Sequence, residues 1–305
     1  MFQTPVAIFI FNRPECTRQL VDSLAVIRPT SLFVIADGPR NENDFALCQQ
    51  TRAIIDEIDW PCNIEKRYAT VNVGCRESIP SGLQWVFDQV ESCIILEDDC
   101  IPQPSFFPFC EELLHLYQDD VRIMTIGGHR SDGPNEFDTT SYYFSKYPSV
   151  WGWATWKEKW AKFDLNMESW DELKNSDWLS EILTSPKAVA YWSRIFDQMK
   201  NGMDAWDYAL TFACWLHRGL SIRSKVNLIS NVGFGKDATH TQQVDLGGIY
   251  AKSSDIKFPL MHPTKVCIDE SADDRIEWVS FSGMNERRLA KVSERINQSR
   301  SDEGS

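Results

Sequence analysis

Three consecutive acids, Glu97, Asp98 and Asp99, follow the apolar run Cys93–Leu96 and precede a proline-containing turn, "CIILEDDCIPQPSFF". Like charges placed side by side repel, and carboxylates are costly to desolvate. A chain that drives a buried strand into such a triplet implies a positive partner. The alternative is a surface turn with solvated acids. Hard carboxylate oxygens suit a divalent cation such as Mg²⁺ or Mn²⁺, which could tie the cluster to phosphates. A second acidic position lies far along the chain, in "MDAWDYALTFACW". There Asp207 opens a helix, where the dipole favours negative charge. It is a candidate general base, or merely a helix cap, and Asp204 is its near rival. A third candidate stretch is "NVGFGKDATHT", whose Lys236, Thr239 and His240 could each meet a phosphate. The glycines flanking Phe234 predict a segment that closes over a ligand. His240 reads either as a second metal ligand or as a loop residue making hydrogen bonds.

The elements that must position these groups alternate regularly. "PVAIFIF", "SLFVIADG", "CNIEKRYAT" and "SCIILEDD" read as strands; continuous apolar runs suit buried parallel strands. Between them, "RPECTRQLVDSLAVIR", "NDFALCQQTRAIIDEI" and "SIPSGLQWVFDQV" read as helices, the first with Pro14 near its start. This β-α-β-α-β-α-β order predicts a mostly parallel sheet with helices on both faces. Ligands of such sheets sit at the carboxyl ends of the strands. Asn12–Arg13, Asp37–Gly38 and Glu97–Asp99 all fall there. Further on, "FFPFCEELLHLYQ" predicts a helix, "RIMTIGG" a strand, and "YPSVWGWATWKEKWAKF" an aromatic, glycine-interrupted stretch leading into a helix. Two more helices follow, each closed by glycine. "LSIRSKVNLISNVGFG" reads as strand and then loop. The chain from Pro263 onward is polar and reads as a helical appendage with a disordered tip, giving one catalytic domain over 1–262 and an appendage over 263–305.

With 31 Lys and Arg against 44 Asp and Glu, the net charge is −13, which argues against nucleic-acid binding. No Gly-x-x-x-x-Gly-Lys loop and no Gly-x-Gly-x-x-Gly occurs, so P-loop and dinucleotide enzymes are disfavoured. Nine scattered cysteines without a Cys-x-x-Cys pair point to free thiols in a reducing compartment. The apolar run Val6–Phe11 is far too short to span a membrane. The expectation is a soluble cytoplasmic protein without a transmembrane segment, any membrane association being peripheral and through partners. The 12 Trp and eight Tyr serve either sugar stacking or the core, and Trp151, Trp153 and Trp156 divide between the two. His129, in "GGHRSDG", orients a loop or is structural, and the charges of "AKFDLNMESWDEL" suit a solvated face.

Taken in order, these motifs resemble those of GT-A fold nucleotide-sugar glycosyltransferases. They are most similar to the family of the inverting α-mannoside β-1,2-N-acetylglucosaminyltransferase I and its bacterial relatives. The resemblance rests on Asn12–Arg13 after the first strand, Asp37 ending the second, Glu97–Asp98–Asp99 before "PSFFPF", then "VWGWATW", Trp206–Asp207 and "GFGKDATHT". It covers about 240 residues.

The resemblance implies a GT-A (Rossmann-like) sheet and an inverting hexosyltransferase. In that reading Asp99 is the direct ligand of Mn²⁺ or Mg²⁺, Asp98 meets the ribose and Glu97 the transferred sugar. Arg13 and Asp37 hold the nucleotide, with Asp37 near uracil. Arg76 stands where the family has a nucleotide-contacting His. Lys236 and Thr239 close over the phosphates, and Asp207 is the base. The donor would be a UDP-sugar, carrying GlcNAc or a related hexose, and the acceptor a glycan or glycoconjugate. The absence of an anchor and stem points to bacterial surface polysaccharide synthesis. Two other readings remain. A sugar-nucleotide nucleotidyltransferase would usually carry a glycine-rich basic loop where this chain has "FNRPECTR". A non-catalytic glycan-binding protein would be favoured by loss of Asp99 or Asp207, and both are present.

Overall fold

The computed structural model describes residues 1–130, 139–233 and 252–277. β1 (Val6–Ile10), β2 (Ser31–Ala36), β3 (Asn63–Tyr68) and β4 (Ser92–Glu97) pair in parallel in the order β3-β2-β1-β4. They are linked by α1 (Pro14–Ile27), α2 (Glu42–Asp56) and α3 (Cys75–Phe87). β1 is buried along its whole length, because both of its faces are covered. Val6, Ile8 and Ile10 belong to one core with Leu20, Leu24 and Ile54, whereas Ala7 and Phe9 belong to a second core with Leu83 and Phe87. A two-residue strand period with helices on each side therefore produces an uninterrupted apolar run. β3, at the edge, has no fully buried residue.

After β4 come β5 (Cys100–Pro102), α4 (Phe106–Leu116), β6 (Ile123–Gly127), β7 (Tyr142–Ser145) and β8 (Trp153–Trp156). The short helices α5 (Lys157–Trp160), α6 (Trp170–Leu173) and α7 (Trp178–Ile182) follow. Next are α8 (Pro186–Lys200), α9 (Asp207–Leu216), β9 (Leu220–Ser224), β10 (Ile229–Asn231) and α10 (Glu270–Ile276). The main sheet has eight strands, ordered β3-β2-β1-β4-β8-β6-β9-β7. β8 and β7 run against the others, so the fold is α/β with a mostly parallel sheet flanked by helices. The strand β8 was not foreseen within the aromatic, glycine-interrupted stretch. "WATW" is extended because β4 and β6 both pair with it, and Trp153 and Trp156 are buried on opposite faces. β7 was not foreseen at all; its Tyr142 and Phe144 carry an aromatic cluster with Tyr117. Most of the tryptophan content is core: Trp170, Trp192 and Trp215 pack with Phe196 and Phe212.

β10 pairs with β5 in a separate two-stranded sheet, placing Asn231 opposite Cys100. All nine cysteines are free thiols. Among the described residues no helix is long and apolar enough to cross a membrane.

Within the described residues, α10 is tied to β7 by buried polar groups. Asp273 accepts from Ser145 Oγ and from Lys146 N at 3.0 Å. Glu277 accepts from Tyr147 Oη at 2.7 Å and pairs with Lys146 Nζ at 3.0 Å. Burial pushes the Asp273 carboxyl up to about 6, against the pull of its hydrogen bonds. An acid whose native value lies above the unfolded one, about 3.9, binds its proton more readily in the native state. Its contribution to stability therefore rises as pH falls from about 7 and levels off near 4. In urea titrations Asp273→Asn should reduce the stability gained between pH ~7 and ~5 by about 1 kcal/mol. An unchanged pH slope would show that Asp273 titrates alike in both states.

Candidate active site

The carboxyl ends of β1, β2 and β4 open into one cleft of about 760 Å³, roofed by the α8–α9 turn and by Asn231 and Gly233. β4 delivers Glu97 at its last position, and Asp98 and Asp99 occupy the turn into β5. The positive partner of the acids is Arg13, at the end of β1. Its Nη1 donates to Asp99 Oδ2 at 2.8 Å and to Asp98 Oδ1 at 3.3 Å. Asp98 Oδ2 also accepts from Phe11 N at 3.2 Å. Burial works against the guanidinium charge, yet Asp98 and Asp99 together hold its proton more firmly than usual. Burial, reinforced by the Asp99 charge and opposed by Arg13, raises the Asp98 carboxyl to about 7. Glu97 is held well above the usual carboxylate range by burial first, then by the charges of Asp99, Asp98 and Asp207. One arginine thus faces more negative charge than it can neutralise.

Asp99 is also where the β10 end closes in. Val232 N donates to the Asp99 carbonyl at 2.8 Å, and a Cβ on Gly233 would lie 2.2 Å from Asp99 Oδ2. Only glycine lets this backbone pass so close to the carboxylate. Gly233→Ala is therefore expected to displace Asp99 and to weaken any cation-dependent ligand binding by roughly tenfold or more. Calorimetry on the folded variant checks this, and unchanged affinity would show that the strand end simply yields.

Among the described residues no three His, Cys, Asp or Glu side chains form a ready cage for a metal. Asp99, lining the cleft and half-buried, offers hard oxygens. Mg²⁺-type ions at phosphate sites take one or two carboxylates and draw their other ligands from phosphate and water. The residues present fit an ion of that kind.

Asp37, at the end of β2, lines the cleft, but its carboxylate is taken up by the neighbouring loop. Oδ1 accepts from Gly38 N at 2.7 Å and Val73 N at 3.1 Å, and Oδ2 from Gly74 N at 3.0 Å and Asn72 Nδ2 at 2.9 Å. Arg52 Nη2 joins the Asp37 and Ala69 carbonyls. Gly38 is required here, since a Cβ would collide with the Val71 backbone at 2.3 Å. Asp37 therefore shapes the wall of the cleft and has its hydrogen-bonding capacity filled from within the chain.

Both rival acids line the cleft, and they differ in how they are engaged. Asp204 Oδ1 accepts from Arg76 N at 3.0 Å and lies 3.5 Å from Cys75 Sγ, supplying an N-terminal cap to α3 from a distant part of the chain. Asp207 begins α9 and lines the cleft, close enough for its charge to act on Glu97. Trp206, beneath it, stacks on Trp153 at 5.7 Å and 27°, which fixes the start of the helix.

The other sequence candidates fall as follows. Arg76 does not line the cleft; its Nη1 donates to the Met199 and Met203 carbonyls, each at 3.2 Å. It secures the end of α8. Of the three tryptophans, Trp151 alone lines the cleft, with its ring centroid 4.5 Å from that of His129. His129 is buried. Lys236, Thr239 and His240 lie outside the described residues. Arg40, Asn72 and Tyr208 line the cleft without having been singled out from the sequence, and Asn231, which opens the candidate stretch "NVGFGKDATHT", lines it too. Only their nearness to strand and helix ends could have drawn attention to them.

No protein-family model matches the chain, and no curated protein matches it. Among solved structures it is similar to a UDP-glucose pyrophosphorylase complexed with UDP-glucose, at 10% identity and a TM-score of 0.36, over 72% of this chain and 90% of that one. It is also similar to the galactosyltransferase LgtC in complex with donor and acceptor sugar analogues, at 12% identity and 0.33, over 68% and 70%. S. aureus TarS matches at 8% identity and 0.41, over 74% of this chain and 58% of that one.

Proposed function

We propose that the protein is an inverting, metal-dependent glycosyltransferase of the GT-A type. It would move GlcNAc or a related hexose from a UDP-sugar to a hydroxyl of a glycan or glycoconjugate, in bacterial surface polysaccharide synthesis. One observation carries the reading. The strand-end acids Glu97–Asp99 and the helix-start acid Asp207 line the same cleft; Asp204 lines it too, but its Oδ1 is engaged in capping α3.

In this reading the acceptor hydroxyl attacks the anomeric carbon and gives its proton to the Asp207 carboxylate. The bond from that carbon to the diphosphate oxygen breaks, and its electron pair leaves with the nucleotide. A single displacement inverts the anomeric centre. Asp99 would hold Mn²⁺ or Mg²⁺, which when bound supplies neutralising charge for the departing diphosphate. Arg13, which lines the cleft beside the acids, would meet a phosphate. Glu97 faces the transferred sugar, and Asp98 the ribose. Trp151 and Tyr208 also line the cleft and offer a sugar aromatic surface.

A thermal-shift screen of nucleotide sugars with and without Mn²⁺ tests the assignment, since a ligand of the native state raises its apparent stability. A UDP-sugar should raise the midpoint only when Mn²⁺ is present. A complete lack of response to every nucleotide sugar would reject it.

A further inference from the structure

Resting on the nucleotide-sugar reading, we propose that the cleft selects the nucleotide by its base, with Asn72 as the reading group and Arg40 as the stacking surface. The base it accepts presents a ring N–H donor, as uracil does. Neither residue was among the sequence candidates.

The orientation of the Asn72 amide is decided by its neighbours. Nδ2 donates to Asp37 Oδ2 at 2.9 Å and to the Gly38 carbonyl at 3.0 Å. Both partners are acceptors only, so the amide nitrogen must face them and a flipped amide is excluded. Both of its hydrogens are then in use. Oδ1 has no hydrogen-bond partner among the described residues, and Asn72 lines the cleft. A carbonyl oxygen held this way can only accept. Uracil N3–H and guanine N1–H satisfy it; in the same pose cytosine N3 and adenine N1 would set lone pair against lone pair, and those bases could reach it only by shifting to present their exocyclic amino groups. Asp37, saturated from within, is the brace that aims Asn72.

Arg40 supplies the second, independent feature. Its guanidinium lies over the Phe11 ring at 5.1 Å and is clamped to Asp44 through Nε at 2.6 Å and Nη2 at 3.2 Å. Asn12 Nδ2 holds the same carboxylate at 2.6 Å. These bonds, the Arg40 side-chain bond first, keep Asp44 charged down to about 2. The clamped guanidinium lines the cleft and is 52% exposed. Phe11 thus supports the guanidinium on one side, and the exposed surface of the guanidinium in the cleft offers a planar base something to stack on.

The two residues therefore divide the work: Asn72 sets selectivity and Arg40 sets affinity for any base. Calorimetric titration of UDP, GDP, CDP and ADP, each with Mn²⁺, tests this on the full chain. UDP, or GDP if the larger ring is admitted, should bind roughly ten- to a hundredfold more tightly than CDP and ADP, the scale of one mismatched hydrogen-bonding pair. Asn72→Ala should bring UDP to within about threefold of CDP by weakening UDP alone. Arg40→Met, at an exposed side chain, should weaken all four by a similar factor and keep their order. Equal binding of UDP and CDP by the wild-type protein, or a UDP preference that survives Asn72→Ala in a folded variant, would overturn the inference. If Asn72→Ala does not fold, a change of base order in Arg40→Met overturns it and a preserved order supports it. Binding of no nucleotide at all would instead remove the nucleotide-sugar reading on which it stands.

Discussion

Replacing Asp207 by Asn is expected to lower kcat by roughly 10²-fold or more, the scale of a lost general base, and to leave donor affinity within about twofold. The substitution keeps size and shape at the start of α9, where Trp206 is locked on Trp153. It removes the lone pair that would take the acceptor proton. It also removes one of the charges bearing on Glu97, so donor binding should not suffer. Asp204→Asn is the informative companion. That residue receives Arg76 N at 3.0 Å, and its loss should appear as a lower melting temperature with kcat largely kept. A crippled Asp204→Asn beside an active Asp207→Asn would reverse the assignment. Retained anomeric configuration in the product, read by NMR, would reject single displacement itself.

Asp99→Ala should abolish the Mn²⁺-dependent part of UDP binding, a loss of more than about 10²-fold and beyond the 10- to 100-fold that missing support of a metal ligand costs. The fold should survive for electrostatic reasons. Arg13 keeps Asp98 as a partner, and the main-chain bond from Val232 N to the Asp99 carbonyl does not need the side chain. Burial and the neighbouring acids hold Glu97 and Asp98 away from their charged forms. Deleting one of those acids should therefore leave the melting temperature unchanged or slightly raised. Calorimetry of UDP with and without Mn²⁺ reads the result directly. An affinity equal to wild type in the presence of Mn²⁺ would remove Asp99 from any metal role.

The layered α/β architecture was legible in the residues themselves. Unbroken apolar runs such as Val6–Ile10 form where both faces of a strand are covered, and Pro14 marks a helix start because its missing N–H is not needed there. The convergence of Arg13, Asp37 and Glu97–Asp99 followed from the same pattern, since parallel strands end on one edge. What each carboxylate does there was not legible. Asp37 and Asp204 resemble Asp99 and Asp207 as residue types, but a carboxylate's role depends on the donors that reach it. Those donors come from far along the chain: Val73 and Gly74 lie 36 and 37 residues from Asp37, and Arg76 lies 128 residues from Asp204. The same holds for "WATW", which is a strand only because β4 and β6 flank it. The sequence by itself determined the strand ends and the acids placed on them. Only the tertiary structure decided which of the acids lining the cleft are taken up by the chain's own donors, because that choice rests on contacts between segments whose separation no local pattern encodes.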